Sequence, residues 1–319
     1  MPFQPAFNPL TSAEWAYFNR RVLEMKLNTE GVDAHGIQYC PVERLPAYGI
    51  GGQKLYQDRP AILFPFLDEH GKKLDFYHAR MIGDPPEFDA PPKGMTPEQY
   101  KKVLRDQYPR YLSGKQVDAY FPVLATGWMN QPLIFITEGI PKAIRATQGG
   151  LPCISIQGKD MFKVKGTSLL VPGLERIVKS EALKKIIYIA DSDARSNEDI
   201  RAAAIHLAGI LNGRRQSRDF AQVAILPDIP DREKTGLDDY LNAKSETEFF
   251  NNLSNWLSPW EGGAFFDLMD KLNQKIVWIQ GTTNYFDVER RQVLSQGTAA
   301  ILTQPLLSSA GSLVNPYSG

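Results

Sequence analysis

Between Leu133 and Leu226 the chain alternates short apolar runs with stretches of helical period, and few architectures accept that order. Leu133–Thr137, Pro152–Ile156, Lys185–Ala190 and Ala221–Leu226 are too short for core helices and are biased toward β-branched residues, which is the pattern of buried strands. Between them lie Ile140–Thr147, a stretch near Leu174–Leu183, and a segment placing Ile200, Ala203, Ala204, Leu207, Ile210 and Leu211 on one helical face. Asn212-Gly213 reads as the stop of that last helix. Four apolar strands separated by three helices predict an α/β, Rossmann-like parallel sheet flanked by helices. In such a sheet, ligands bind outside the carboxyl ends of the strands.

Acidic residues stand at those ends. Glu138 follows the first strand in Ile136-Thr137-Glu138-Gly139, Asp191 and Asp193 follow the third, and Asp238-Asp239 comes further on. Strand ends of a parallel sheet share one edge, where carboxylates can gather a divalent cation. Magnesium asks for little more than one or two carboxylates plus waters and substrate phosphates. Asp191 and Asp193 suit that role, and Glu138 suits a second ion or a general acid or base beside a phosphate. Lys142, one helical turn beyond Glu138, is placed to meet the phosphate. An acid-x-acid pair after a strand also arises simply from capping the next helix. The combination of strand, Glu-Gly, helix, strand, and then strand with Asp-x-Asp in one alternating unit favours the metal site.

The flanks differ in texture. Thr11–Glu14 reads as a capping box opening a helix with Trp15, Phe18, Val22, Leu23 and Met25 at helical spacing. Ala61–Phe66 and Leu74–Ala79 are strand-like and joined by Asp68-Glu69-His70-Gly71, a hairpin signal. A proline-rich loop from Asp84 to Pro97 leads to a short helix capped at Thr96-Pro97. Beyond Tyr240, Glu246–Leu257 is helical in pattern, and Lys275–Ile279 with Tyr285–Val288 suggests a hairpin around Gly281. The expected organisation is an α+β region over 1–130 that contacts nucleic acid, the α/β domain over 131–245, and a helix/hairpin extension over 246–319. That extension ends without an evident structural stop and reads as a linker toward a further module.

Lys and Arg number 36 and Asp and Glu 36, so attraction to nucleic acid must be local. The segment Lys93–Lys165 supplies it, with eleven basic residues against five acidic ones. Within it Tyr108, Arg110, Tyr111, Lys115 and Tyr120 mix aromatic and basic side chains, a pattern that suits single-strand stacking and equally suits packing between domains. Lys159 and Lys163 either line the same groove or belong to a solvated loop. Cys40 and Cys153 lie far apart without CxxC spacing, which excludes a zinc ribbon and a disulfide framework. No apolar run is long enough to cross a membrane, and no signal peptide opens the chain, so a cytoplasmic protein without membrane partners is expected. Gly49-Ile50-Gly51-Gly52-Gln53-Lys54 lacks Walker spacing, so ATP-driven unwinding is not expected of these residues.

The order Thr137-Glu138-Gly139, helix, Gly150-Leu151-Pro152 entering a strand, and Asp191-Ser192-Asp193 before a long helix resembles the TOPRIM domain of primases, topoisomerases and related nucleases. Tyr111-Leu112-Ser113-Gly114, Tyr120-Phe121-Pro122, Glu138-Gly139 with Lys142-Ala143, and Thr235-Gly236-Leu237-Asp238-Asp239-Tyr240-Leu241 are similar, more narrowly, to the TOPRIM-like domain of replication proteins on plasmids, phages and integrated elements. The resemblance covers about 133–245. It implies Glu138 as catalytic glutamate with Lys142 beside it, Asp191 and Asp193 as metal ligands, and Asp238 or Asp239 as further acids. Mg2+ or Mn2+ would be the cofactor. Arg110, Tyr111, Lys115, Arg145, Lys159 and Lys163 would meet nucleic acid or phosphate. Expected partners are a single-stranded DNA template, nucleoside triphosphates and a helicase module. The leading expectation is primase-type nucleotidyl transfer, with a TOPRIM nuclease and a non-catalytic nucleic-acid-binding module that recruits a helicase as alternatives. The zinc-binding template reader of bacterial primases has no ligands here.

Overall fold

In the structure, a computed structural model, the four apolar runs form one parallel sheet. The structure describes residues 11–50, 59–82, 93–96, 99, 100, 103, 111–113, 118–165, 167, 169–217, 219–230 and 232–257, with three short strands between 276 and 295. In chain order the elements before the parallel sheet are α1 (Ser12–Glu24), α2 (Thr29–His35), β1 (Gln38–Cys40), β2 (Ala61–Leu67), β3 (Lys73–Met81) and β4 (Tyr111–Ser113). Then come β5 (Leu133–Glu138), α3 (Ile140–Gln148), β6 (Cys153–Ile156), α4 (Pro172–Val178), β7 (Lys185–Ala190), α5 (Glu198–Arg215) and β8 (Ala221–Ile225). Helices α6 (Leu237–Ala243) and α7 (Glu246–Trp256) follow, and after them β9 (Ile276–Trp278), β10 (Asn284–Asp287) and β11 (Gln292–Ser295).

The parallel sheet has the order β6-β5-β7-β8. Because side chains alternate across a strand, its residues divide between two cores. Ile134, Ile136, Ile154, Ile156, Tyr188 and Ala190 pack with Leu174 and Ile177 of α4 and Leu207 and Leu211 of α5. Phe135, Cys153, Ile187 and Ile189 face the other way, onto Ala143 and Ala146 of α3, Leu237 and Leu241 of α6, and Phe249 of α7. Each large apolar side chain fully buried this way contributes roughly 1.5–3 kcal/mol.

The amino-terminal sheet is antiparallel, in the order β1-β2-β3-β4. Every residue of β2 is buried, with Ile62, Phe64 and Phe66 against Phe18 of α1 and Val32 of α2, and Ala61 and Leu63 against Leu45 and Met81. Pro65 sits inside this strand where the register with β3 shifts, between Pro65 and Leu67, a place where a ladder tolerates proline; β1 pairs only as far as Leu63. The hairpin closes as expected, with Gly71 at φ +77° and Asp68 Oδ1 accepting from the amides of His70 and Lys72, both at 2.9 Å. The two sheets meet at Tyr120, whose backbone exchanges bonds with Ser155 on the outer edge of β6, at 2.9 and 3.0 Å. That covers an edge otherwise open to a foreign strand.

Several sequence expectations are corrected. The capping box at Thr11 and Glu14 is present, but Leu23 points to solvent at 71% exposure. Helix α4 ends at Val178, short of Leu183, where the Ser180 hydroxyl donates to the Met129 carbonyl at 2.6 Å. Helix α5 runs through Asn212-Gly213 to Arg215. Asn212 is fully buried and spans to β8, giving one bond to the Ala221 carbonyl at 3.0 Å and accepting one from its amide at 2.7 Å. The left-handed stop is taken by Gln216 at φ +49°. The carboxy-terminal strands pair as β11-β10-β9, so the expected hairpin gains a third strand; Gly281 lies outside the described residues. Cys40 and Cys153 are free and buried. Among the described residues no helix is long and apolar enough to cross a membrane.

Candidate metal and phosphate site

Strand β5 delivers Glu138 to the carboxyl edge of the sheet, and Gly139 then turns the chain into α3 at φ +99°. No atom crowds a Cβ there, so glycine is required by backbone conformation rather than by space. The half-buried Glu138 accepts a bond on Oε1 from the Tyr188 hydroxyl at 2.7 Å. Its carboxyl is raised above the ordinary value, first by burial and further by Asp191, against the lowering effect of the Tyr188 bond and of Lys142 and Lys234.

Strand β7 delivers Asp191 and Asp193 to the same edge, on a single 3-10 turn over Ser192–Arg195. Capping does not explain them. The Asp191 side chain makes no cap bond, and α5 is capped by Asn197, whose Oδ1 accepts from the amides of Asp199 and Ile200 at 3.2 and 3.4 Å. Asp191 instead meets Lys142, with Nζ at 2.5 Å from Oδ1 and 2.6 Å from Oδ2. A second ammonium, from Lys234, bridges Asp191 Oδ2 at 3.1 Å and Asp193 Oδ2 at 3.4 Å. Asp193 Oδ1 is buried with no hydrogen-bond partner among the described residues.

The backbone next to Lys234 is stitched to the aspartate turn. Ser192 N donates to the Thr235 carbonyl at 3.0 Å, and Thr235 N donates to the Ser192 hydroxyl at 3.0 Å. Thr235 itself is fully buried and accepts from the Ile229 amide at 2.8 Å. Helix α6 then begins at Gly236–Leu237, bringing Asp238 toward Lys142. The Asp238 carboxyl is raised by burial, lowered by Lys142 and Arg21, and raised by Asp239 and Asp191.

Two residues expected at the site have other work. Asp239 accepts from the Gly236 amide on Oδ2 at 3.0 Å, capping α6, and pairs with Arg232 on Oδ1, so both of its oxygens have partners. Arg145, expected to meet phosphate, is fully buried. Its guanidinium donates to Asn242 Oδ1 at 2.7 Å, Glu246 Oε1 at 2.8 Å and the Leu241 carbonyl at 2.5 Å, so it ties α3 to α6 and α7. Lys142 lies three residues before it on the same side of α3, yet it meets Asp191 instead.

Of the aromatic and basic stretch, Tyr108, Arg110 and Lys115 lie outside the described residues. Tyr120 is fully buried, its hydroxyl without a hydrogen-bond partner among the described residues, which is the packing alternative. Tyr111 is 38% exposed, stacks on His78 and hydrogen-bonds Arg80, whose Nε also reaches the Tyr17 hydroxyl at 2.8 Å. Lys159 stands 4.0 Å from Asp199 in the first turn of α5, close in sequence to the aspartate turn. Lys163 lies over the Phe162 ring at 5.8 Å. Asp228 is exposed, and Asp231 lies outside the described residues.

Among the described residues no group of three or more His, Cys, Asp or Glu side chains is gathered to hold a metal by protein ligands alone. The donors present nevertheless fit magnesium, whose usual protein share is one or two carboxylates. They are hard oxygens, Asp191 and Asp193 already converge on one cation, the Lys234 ammonium, and Asp193 Oδ1 awaits a partner. Sequence reasoning passed over Lys234 and Tyr188. Lys234 directly precedes the Thr235-Gly236 motif, and Tyr188 is the single polar-tipped side chain inside the β7 core run.

A family profile described as "Domain of unknown function (DUF3854)" matches residues 127–248. No curated protein matches the chain in sequence. Among solved structures, the DnaG primase catalytic domain bound to single-stranded DNA aligns at TM-score 0.48 and 14% identity, over 93% of this chain and 87% of that one. The DnaG catalytic core aligns at TM-score 0.47 and 15% identity, over 93% and 86%. The Aquifex aeolicus primase, comprising zinc-binding and RNA polymerase domains, aligns at TM-score 0.46 and 15% identity, over 81% of this chain and 60% of that one.

Proposed function

We propose that the chain performs Mg2+- or Mn2+-dependent nucleotidyl transfer of the primase type, joining nucleoside triphosphates on single-stranded DNA in the replication of a mobile genetic element. The observation that carries the reading is the convergence of Asp191 and Asp193 on one cation, at the carboxyl edge of a parallel sheet, beside the half-buried Glu138. The order of TOPRIM-like motifs from Thr137-Glu138-Gly139 to Asp238-Asp239 supports it.

In this reading Asp191 and Asp193 hold the ion, with Asp238 nearby. The bound ion would offset charge on the triphosphate during in-line displacement. Tyr188 fixes one oxygen of Glu138, and burial moves that carboxyl in the direction required of a group that takes a proton near neutral pH. The proton comes from the attacking 3′-hydroxyl, whose oxygen bonds the α-phosphorus as pyrophosphate leaves. Lys142 holds Asp191 in place. Tyr111, Lys159 and Lys163, with Arg110 and Lys115, are the template and phosphate contacts, and a helicase module is the expected partner.

The test incubates the protein with single-stranded DNA, labelled nucleotides and Mg2+ or Mn2+, beside an Asp191→Ala/Asp193→Ala control, and resolves products by length. New short products that vanish in the control support primer synthesis. Shortened input DNA replaces it with a TOPRIM nuclease. Neither change, with DNA binding intact, leaves a recruiting module and sinks the catalytic reading.

A further inference from the structure

The two lysines approach the acid pair on unequal terms. The Lys142 side chain is only 18% exposed and touches both oxygens of Asp191. It is also boxed in, since a Cβ on Gly236 would stand 2.8 Å from its Cε and 3.1 Å from its Nζ. The Lys234 side chain is 53% exposed, and its contacts of 3.1 and 3.4 Å exceed the 2.7–2.9 Å typical of a charge-assisted bond. An ion pair this open contributes little and is easily exchanged. The backbone beside it, in contrast, is fixed by the mutual bonds of Thr235 and Ser192. Among the described residues, Arg21 as well as Lys142 acts on Asp238, whereas Asp193 Oδ1 is buried without a hydrogen-bond partner, a place that the monovalent head of Lys234 does not fill.

We infer that Lys234 is an exchangeable cation, holding the place of a divalent metal between Asp191 and Asp193 and turning, once the metal enters, to a phosphate of the incoming nucleotide or strand. The inference rests on the proposed metal-dependent function and assigns a role to a residue outside the expected ligand set. A fixed backbone at the rim with a half-exposed head keeps the ammonium beside the metal after displacement, where substrate phosphate arrives. The signature is a pair of opposite effects that a merely structural lysine does not produce.

The experiment uses the full metal-free chain as wild type, Lys234→Met, Lys234→Arg and Asp193→Asn. Mn2+ affinity is read from the electron paramagnetic resonance of the free ion. Binding of a non-hydrolysable triphosphate and of a labelled single strand is then measured at saturating Mn2+ by anisotropy. Lys234→Met is expected to bind Mn2+ roughly fivefold more tightly. It is also expected to lose several-fold affinity for the triphosphate or for the strand, whichever the lysine meets, while Lys234→Arg retains that affinity. Thermal unfolding of Lys234→Met close to wild type establishes that these shifts belong to the site. Mn2+ affinity unchanged or weakened in folded Lys234→Met, or phosphate affinities unchanged, overturns the inference alone when Asp193→Asn has lost Mn2+. Undiminished Mn2+ binding in Asp193→Asn overturns the metal reading as well.

Discussion

The two ends of helix α3 carry buried cations one turn apart and treat them differently. At the carboxy-terminal end Arg145 has no exposed surface, and its donors end on Asn242, Glu246 and the Leu241 carbonyl. At the amino-terminal end Lys142 is held by Asp191, but charges around it do not close: Asp193 Oδ1 has no partner among the described residues, Lys234 bridges loosely, and Glu138 and Asp238 are raised by burial. A buried charge with complete partners is fastening. One surrounded by partly desolvated carboxylates is the arrangement that marks a candidate site.

The contrast breaks most visibly at Arg145. Arg145→Ala leaves the Leu241 carbonyl and Asn242 without their donor, and a loss of roughly 3–4 kcal/mol is expected by denaturant unfolding. Mn2+ affinity in the protein that remains folded should change little. A stable Arg145→Ala protein with weakened DNA binding would move Arg145 back to the phosphate-contacting role expected from sequence.

Asp193→Asn should do the reverse. Product formation is expected to fall on the order of 10²-fold, the effect of losing a group that holds the ion. Stability should stay within about 0.5 kcal/mol, since the side chain is partly exposed and its ion pair with Lys234 is loose. Equal activity in the two proteins would end the assignment of Asp193.

Glu138→Gln sharpens the comparison through pH. The fold raises the Glu138 carboxyl, so the folded state binds protons more readily than the unfolded one, and wild-type stability falls as pH rises from the ordinary carboxylate range through the raised value. Glutamine removes that cost while keeping an acceptor for Tyr188. The variant should therefore be inactive yet more stable than wild type at neutral pH, with the advantage vanishing in acid. Melting curves across pH decide this, and a variant less stable than wild type at neutral pH would count against a strained, functional carboxylate.

Gly236→Ala is the smallest change. Its added methyl would meet Lys142 Cε at 2.8 Å and shift the ammonium from Asp191, and a cost of about 1 kcal/mol is expected. A several-fold change in Mn2+ affinity, read by titration, should accompany it. No change in either quantity would show that Lys142 has room to spare.

What the sequence determined by itself was what local pattern encodes. Strand β7 matches its expected bounds at Lys185 and Ala190, the cap at Thr11 and Glu14 closes, and the parallel pairing of the four strands follows from alternating apolar runs and helices. These depend on periods of two and 3.6 residues and on contacts within a turn, all written in neighbouring residues. Glu138, Asp191 and Asp193 were legible as strand-end acids for the same reason. Which charges are spent was decided only in three dimensions. Arg145 reaches Glu246 across about a hundred residues, Lys234 reaches Asp191 from 43 residues away, and Tyr188 reaches Glu138 from the adjacent strand. Asp239 and Asp238 are neighbours in sequence, yet one caps a helix and the other faces Lys142. The direction of a side chain depends on how its element packs, and packing is a property of the whole chain; the sequence therefore placed the acids at the edge of the sheet, and the tertiary fold decided which of them carry complete partners.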